Sequence, residues 1–294
     1  IDPRWLVSHG LCSAHDADEN IYGGTPFTAD FAFAAEKREK LLKIAFSNCP
    51  DTMKNEVREF AETHPHIAQY AYYTALKKKY SGAPWYEWDK KHADFASFDA
   101  SDKSELAADY DFICFKQYIF FRQWEEIRCF AAEKKVKIIG DMPIYVALDS
   151  ADVWADRENF EISPDTFAPS SVAGVPPDYF SEDGQLWGNP LYNWEKMEKD
   201  GYKWWLERLG SAFDMFDVVR IDHFRAFASY WAVPADSDTA KNGEWRKGPG
   251  MKFFNRLFEK FPEAPVIAED LGVFGEDVTE LLRDTDFPGM KVIQ

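Results

Sequence analysis

The stretch DVVRID, Asp217 to Asp222, decides how this chain of 294 residues is read. Three charged side chains bracket a short apolar run, and His223 follows at once in HFRAF (223–227). An unpaired charge in a buried strand is costly, so each of these groups needs a partner or a task. In a strand alternate side chains share a face, which puts Arg220 and Asp222 on one side and Ile221 and His223 on the other. A guanidinium within about 4–6 Å of a carboxylate holds it ionised, the state that a nucleophilic or charge-stabilising aspartate requires. The same pair would serve equally well as a structural ion pair at a strand end, so one strand does not make a site.

Outward from this stretch, further short apolar runs end in polar residues: VKIIGDMPIYV (136–146), APVIAED (264–270) and MKVI (290–293). The first is a β-branched run broken by Gly140, Asp141 and Pro143, the pattern of a buried strand emptying into a loop. Helical patterns separate the runs, YKWWLERLGSAFDMF (202–216) before DVVRID and MKFFNRLFEKF (251–261) before APVIAED. Strands alternating with helices predict a parallel sheet. In such folds functional residues sit at the carboxyl ends of strands, where Asp141, Asp222 and Glu269 fall. No G-x-G-x-x-G or G-x-x-x-x-G-K-[ST] follows any strand, which removes support for a doubly wound nucleotide-binding sheet and favours an α/β fold of the (β/α) barrel type.

The remainder of the chain is read around that barrel. Amphipathic helices are predicted over 34–46, 53–79 and 104–134, the last with Phe120, Trp124, Ile127 and Ala131 on one face. Residues 30–110 are therefore expected to form a mainly helical insert. Between Asp141 and Asp222 lie roughly 80 residues, more than a crossover needs. They include AGVPPDYFSEDGQLWGNPLYNW (173–194), rich in Gly, Pro and aromatics and poor in periodicity, which reads as part of a loop-rich insert at 147–195 lying over the strand ends.

Composition narrows the class of partner. The chain is 46% hydrophobic and 29% charged, which fits a folded protein, and its net charge of −17 opposes binding to nucleic acid or an anionic membrane. No apolar run is long enough to span a bilayer and no basic-then-apolar leader opens the chain, so a cytoplasmic location is expected. Cys12, Cys49, Cys114 and Cys129 form no C-x-x-C pair and have no histidine cluster nearby, so neither a zinc site nor a redox motif is suggested, and because the carboxylates fall on different strands without a His-rich ligand set, no metal or organic cofactor is expected. Aromatics make up 17% of the chain, including 11 Trp, enough to fill a core and also to line a cleft that stacks sugar rings.

The second carboxylate comes from VIAEDLG (266–272), which sends Glu269 and Asp270 to opposite faces, and periodicity does not say which enters the cleft. Two carboxyls on neighbouring strands could divide the labour of glycoside chemistry, one an ionised nucleophile and one a protonated acid. Four blocks, IIGDMPIYVALDSADVWA (138–155), GVPPDYFSEDGQLWGNPLYNW (174–194), DVVRIDHFRAF (217–227) and VIAEDLG, resemble in content and order the 4-α-glucanotransferases of glycoside hydrolase family 77, the amylomaltases or disproportionating enzymes. The resemblance covers the whole chain. It implies retaining transfer of α-1,4-glucan segments between maltodextrin, starch or glycogen-derived chains. Asp222 would form the covalent glucosyl-enzyme, and Glu269 would act as general acid and then base, which chooses between Glu269 and Asp270 by similarity.

By the same resemblance Arg220 would orient Asp222, Asp141 would lie near the non-reducing-end glucose, and His223 would bond sugar hydroxyls. Pro176, Asp178, Tyr179 and Trp187 would shield the intermediate from water and stack the incoming sugar, with Asn189 of that block also counted as substrate-binding. Two other readings use the same residues: a hydrolase of the α-amylase type, with water as acceptor, and a glucan-binding protein without catalysis. The family's third carboxylate, in a T-H-D-N-like block, has no match before the final GMKVIQ, and the S-P-Y-like first strand has none at the front. With four or five barrel strands identifiable, where a closed barrel needs eight, the chain is expected to be an internal piece of a longer enzyme, inactive and poorly soluble alone.

Overall fold

The computed structural model describes residues 1–25, 27–179, 181–271 and 275–292. The chain divides into two compact units, one formed by Ile1–Ala83 with Ala96–Phe130, the other by Pro84–Phe95 with Ala131–Gln294.

The first unit is helical. It contains α1 (Pro3–Ser8), α2 (Ala14–Asp18), α3 (Phe31–Ser47), α4 (Asp51–Thr63) and α5 (Pro65–Lys79). After the excursion into the other unit, where α6 (Lys90–Ala93) lies, it takes up most of α7 (Ala100–Glu133). The side chain of Asp30 starts α3 by accepting from Phe33 N at 2.8 Å, an N-cap. The periodicity over 53–79 is carried by two helices. Pro65 cannot donate to the turn before it, so the helix stops at Thr63 and restarts with proline in its first turn. Leu41, Leu42, Ala71, Leu76, Phe115 and Ile119 form the interior, with Phe46 against Phe115 at 5.3 Å between ring centroids. Phe120 and Trp124 do stack on one face of α7, yet Phe120 and Ile127 are exposed among the described residues.

The second unit is built on two sheets. β1 (Ile139–Pro143), β4 (Val218–Asp222) and β7 (Val266–Ala268) pair in parallel in the order β1-β4-β7. β4 alternates as the sequence requires, with Val219 and Ile221 fully buried and Arg220 and Asp222 partly exposed. Gly140 admits the next helix, because a Cβ there would lie 2.2 Å from the ring of Phe216, at the end of α10 (Lys203–Met215). Met251–Lys260, here α11, precedes β7, and Glu276–Thr285, α12, follows it.

Each crossover of this sheet also contributes two strands to a second, antiparallel sheet. β2 (Ser171–Val175) and β3 (Gln185–Pro190), flanked by α8 (Ala151–Ala155) and α9 (Trp194–Lys199), come from the first crossover, and β5 (Ser229–Pro234) and β6 (Glu244–Lys247) from the second. Their order is β3-β2-β5-β6. The stretch 173–194 is therefore not an irregular loop. Its pattern is hidden because β2 is buried at four of five positions and the β2–β3 pairing slips between Val172 and Gly174, which breaks the two-residue period. MKVI is also corrected: 290–292 form no strand, and Ile293 lies outside the described residues. Beneath β4, Trp205, Phe227, Phe253 and Phe254 are fully buried, with Phe227 stacked on Phe253 at 5.0 Å. These aromatics are core.

Candidate active site

The register of the parallel sheet brings the polar strand ends together. Asp141 pairs with Arg220, Pro143 with Asp222, and Ile221 with Ala268. Arg220 then divides its donors. Nη1 donates to Asp141 Oδ1 at 2.5 Å, Nη2 to Asp222 Oδ1 at 2.8 Å, and Nε to Met290 Sδ at 3.1 Å. Burial works to lower the pKa of the guanidinium, but the hydrogen bonds and charges of Asp141 and Asp222 outweigh it and hold the value above that of an ordinary arginine. The carboxylates remain accessible, since the side chain of Asp222 is 45% exposed and that of Asp141 64%.

Asp217, at the other end of the same strand, has a different task. Its Oδ2 accepts from Ile138 N at 2.7 Å while its own N donates to Ile138 O at 2.9 Å, which aligns the start of β4 with the residue before β1. The three charges of DVVRID thus separate into one that sets register and two that meet at the exit.

Glu269 and Asp270 diverge. Glu269 lies next to the exit of β4: its N donates to Ile221 O at 3.0 Å, and its carboxylate accepts from His223 N at 3.0 Å and Leu271 N at 2.8 Å. Asp270 turns to the following chain and accepts from Met290 N at 2.6 Å. This geometry brings Glu269 to the backbone beside Asp222.

The strict alternation expected through His223 stops at Asp222. His223 takes the left-handed conformation, φ 55° and ψ 44°, which ends the ladder and presents its N–H to Glu269. Its ring packs against Trp187 in a T-shaped arrangement, with centroids 4.8 Å apart and planes at 77°. Burial, reinforced by the charge of Arg225, lowers the imidazole pKa to about 4, so the ring is neutral near pH 7. Trp187 is 38% exposed and is steadied by donation from its Nε1 to Gln185 Oε1 at 3.0 Å.

The other expected site residues lie outside this network. Asn189 donates from Nδ2 to Val146 O at 2.9 Å, tying β3 to the loop after β1. Asp178 accepts from Ser181 N at 2.8 Å and holds the turn between β2 and β3, on which Tyr179 is 98% exposed. Among the described residues no three His, Cys, Asp or Glu side chains are grouped to hold a metal, and no helix is long and apolar enough to cross a membrane.

A family model described as 4-alpha-glucanotransferase, that of glycoside hydrolase family 77, matches residues 4–294. The chain belongs to family 77. A 4-alpha-glucanotransferase of Thermus thermophilus is 47% identical over 303 residues, and one of Streptococcus pneumoniae is 42% identical over 300; each comparison covers 100% of this chain and 59% of the relative. The structure of an amylomaltase from Streptococcus agalactiae in complex with acarbose superposes with a TM-score of 0.93 at 36% identity, over 99% of this chain and 60% of that one. The chain thus spans about 60% of the length of the relatives it matches. Its parallel strands are an incomplete part of the family's (β/α) barrel.

Two residues of this family 77 chain that the sequence did not single out support the cluster. Arg208 donates from Nη2 to Pro143 O at 2.8 Å and from Nη1 to Ile144 O at 3.2 Å, clamping the loop after Asp141 while its guanidinium lies over Trp205. The sequence carries no distinct signal for it, because Glu207 and Arg208 together read as an ordinary polar step of the amphipathic helix α10. Met290, the third partner of Arg220, carries none, because a thioether acceptor has no characteristic pattern.

Proposed function

We propose that the chain carries the nucleophile and the acid of a retaining 4-α-glucanotransferase. Asp222 attacks the anomeric carbon of a bound α-1,4-glucan, while Glu269 protonates the departing glycosidic oxygen, leaving a covalent glucosyl-Asp222 and a free glucan end. Glu269, now a carboxylate, takes the proton from the 4-hydroxyl of a second glucan, whose oxygen displaces Asp222 with net retention. The observation that carries this reading is the Arg220 bridge between Asp141 and Asp222, with the Glu269 carboxylate anchored on the backbone of the residue after Asp222. Arg220 fixes the nucleophile's orientation through a single hydrogen bond to Oδ1, which leaves Asp222 Oδ2 for the sugar.

The remaining roles follow from position. Asp141 bonds the terminal glucose, neutral His223 bonds its hydroxyls, and Trp187 offers its exposed ring surface to the sugar. Pro176, Asp178 and Tyr179 on the β2–β3 connection, with Asn189 holding that hairpin to Val146, close over the intermediate and exclude water, so that a glucan hydroxyl is the acceptor. In this reading 1–294 belongs to one catalytic barrel, with a mainly helical insert at 30–110 and the lid at 147–195. Substrates are α-1,4-glucans, from maltodextrins to segments of starch or glycogen. The four cysteines are all free, Cys129 exposed, which supports a reducing, cytoplasmic setting.

Incubating the full-length protein with maltotriose tests the proposal. Glucose together with a ladder of longer maltodextrins is expected. Shorter products without longer ones would assign hydrolysis, and glucan binding without turnover would assign a binding protein.

A further inference from the structure

Arg220 is held on three sides, and the third is the unusual one. Two of its five N–H donors reach carboxylates, but Nε donates to a neutral thioether, Met290 Sδ at 3.1 Å. A neutral acceptor fixes the guanidinium plane without drawing its charge away from Asp141 and Asp222. The segment that carries Met290 is itself pinned. Pro288 O accepts from Ala268 N at 2.9 Å, beside β7, and Asp270 Oδ1 accepts from Met290 N at 2.6 Å. Gly289 lies so close to that carboxylate that an added Cβ would stand 2.1 Å from Asp270 Oδ2. Asp270 therefore grips the backbone of Gly289 and Met290, and Met290 sets the third edge of Arg220.

We propose that Met290, seated by Asp270, is a positioning residue that fixes Arg220 and through it the orientation of Asp222. The inference rests on the function proposed above. It gives the two neighbouring carboxylates different offices: Glu269 faces the substrate, and Asp270 faces inward to the support of the nucleophile.

Met290→Leu in the full-length protein keeps the side-chain volume and removes the acceptor. The kcat for transfer from maltotriose is expected to fall on the order of tenfold, with KM and melting temperature little changed, since a misplaced reacting group costs rate and not uniform binding. Met290→Gln, which restores a neutral acceptor at similar reach, should recover at least half of the lost rate. Asp270→Ala should show the same loss in kcat, and the double variant Met290→Leu/Asp270→Ala no more than either single change, because both act through Arg220. Wild-type kcat in Met290→Leu would overturn the inference, as would a loss that follows the melting temperature and is not recovered by Gln. A wild-type protein that makes no longer maltodextrins would overturn the function reading instead, so the two failures are separable.

Discussion

The two ends of β4 carry the same residue type and use it in opposite ways. At the entry Asp217 spends its carboxylate on a backbone N–H, that of Ile138. At the exit Asp222 bonds a guanidinium shared with Asp141 and keeps its side chain 45% exposed. Five residues apart in an extended chain, the two aspartates sit roughly 16–17 Å apart along the strand, with two buried side chains between them. The first sets register between strands and the second is available for chemistry. The difference lies in the partner: a backbone donor is fixed by the ladder itself, whereas a side-chain cation at a strand end must be held by other side chains.

The largest effect should come from removing the exit carboxylate. Asp222→Ala in the full-length protein is expected to lower kcat by about 10⁴-fold or more, as loss of a covalent nucleophile does, while glucan binding measured by calorimetry stays near wild type. Near-normal turnover would erase the distinction between the two ends. Arg220→Lys comes next. A lysine has one compact head and cannot engage Asp141, Asp222 and Met290 together in a plane, so a loss on the order of 10²-fold in kcat is expected. Steady-state kinetics with maltotriose checks it, with unfolding in urea as the control for folding.

The sequence made the exit legible and left its supports hidden. Val219 and Ile221 alternate with Arg220 and Asp222, so the period of two predicted both the strand and the shared face of the ion pair. The same period ended at the wrong residue, because a positive φ at His223 is set by the turn and by the Glu269 carboxylate, neither of which has a local pattern. Glu269 and Asp270 illustrate the same limit. Alternation separated them, but only the position of Met290 and of the β4 exit in space distinguishes the side chain that meets His223 from the one that meets the 288–290 backbone. Strands β2 and β3 were missed for opposite reasons: β2 is buried on both faces, whereas β3 is exposed at its first four positions and carries Gly188 and Pro190, so neither shows the alternation that marks a strand.

His223 allows the exit to be probed by pH. Burial, with the charge of Arg225, lowers its pKa to about 4, against about 6.5 in the unfolded chain. A depressed value in the fold means that the unfolded state binds a proton first as the pH falls. The stabilisation is complete above pH 6.5 and is lost between there and about pH 4. Replacing the ring by Gln should remove this component, so the gap in unfolding free energy between pH 7 and pH 5 is expected to shrink by about 1–2 kcal/mol in His223→Gln. An unchanged gap would mean that the ring charges freely and that the exit is wetter than its packing against Trp187 implies.

The entry should respond in stability and not in rate. Asp217→Ala removes the acceptor for Ile138 N at the start of the β1–β4 pairing. Asp217 is exposed, so water can replace part of the lost bond, and a cost of about 0.5–1 kcal/mol in urea unfolding is expected. Asp217→Asn keeps an oxygen for the same N–H and should recover most of that loss. In both variants kcat should stay within about twofold of wild type, because the backbone bond of Asp217 N to Ile138 O and the pairs from Ile139 to Pro143 continue to hold the register that delivers Asp141 to Arg220. A large loss of rate in Asp217→Ala at unchanged stability would show that register at the entry is transmitted to the exit side chains, and that one strand's two ends are not the independent devices their partners suggest.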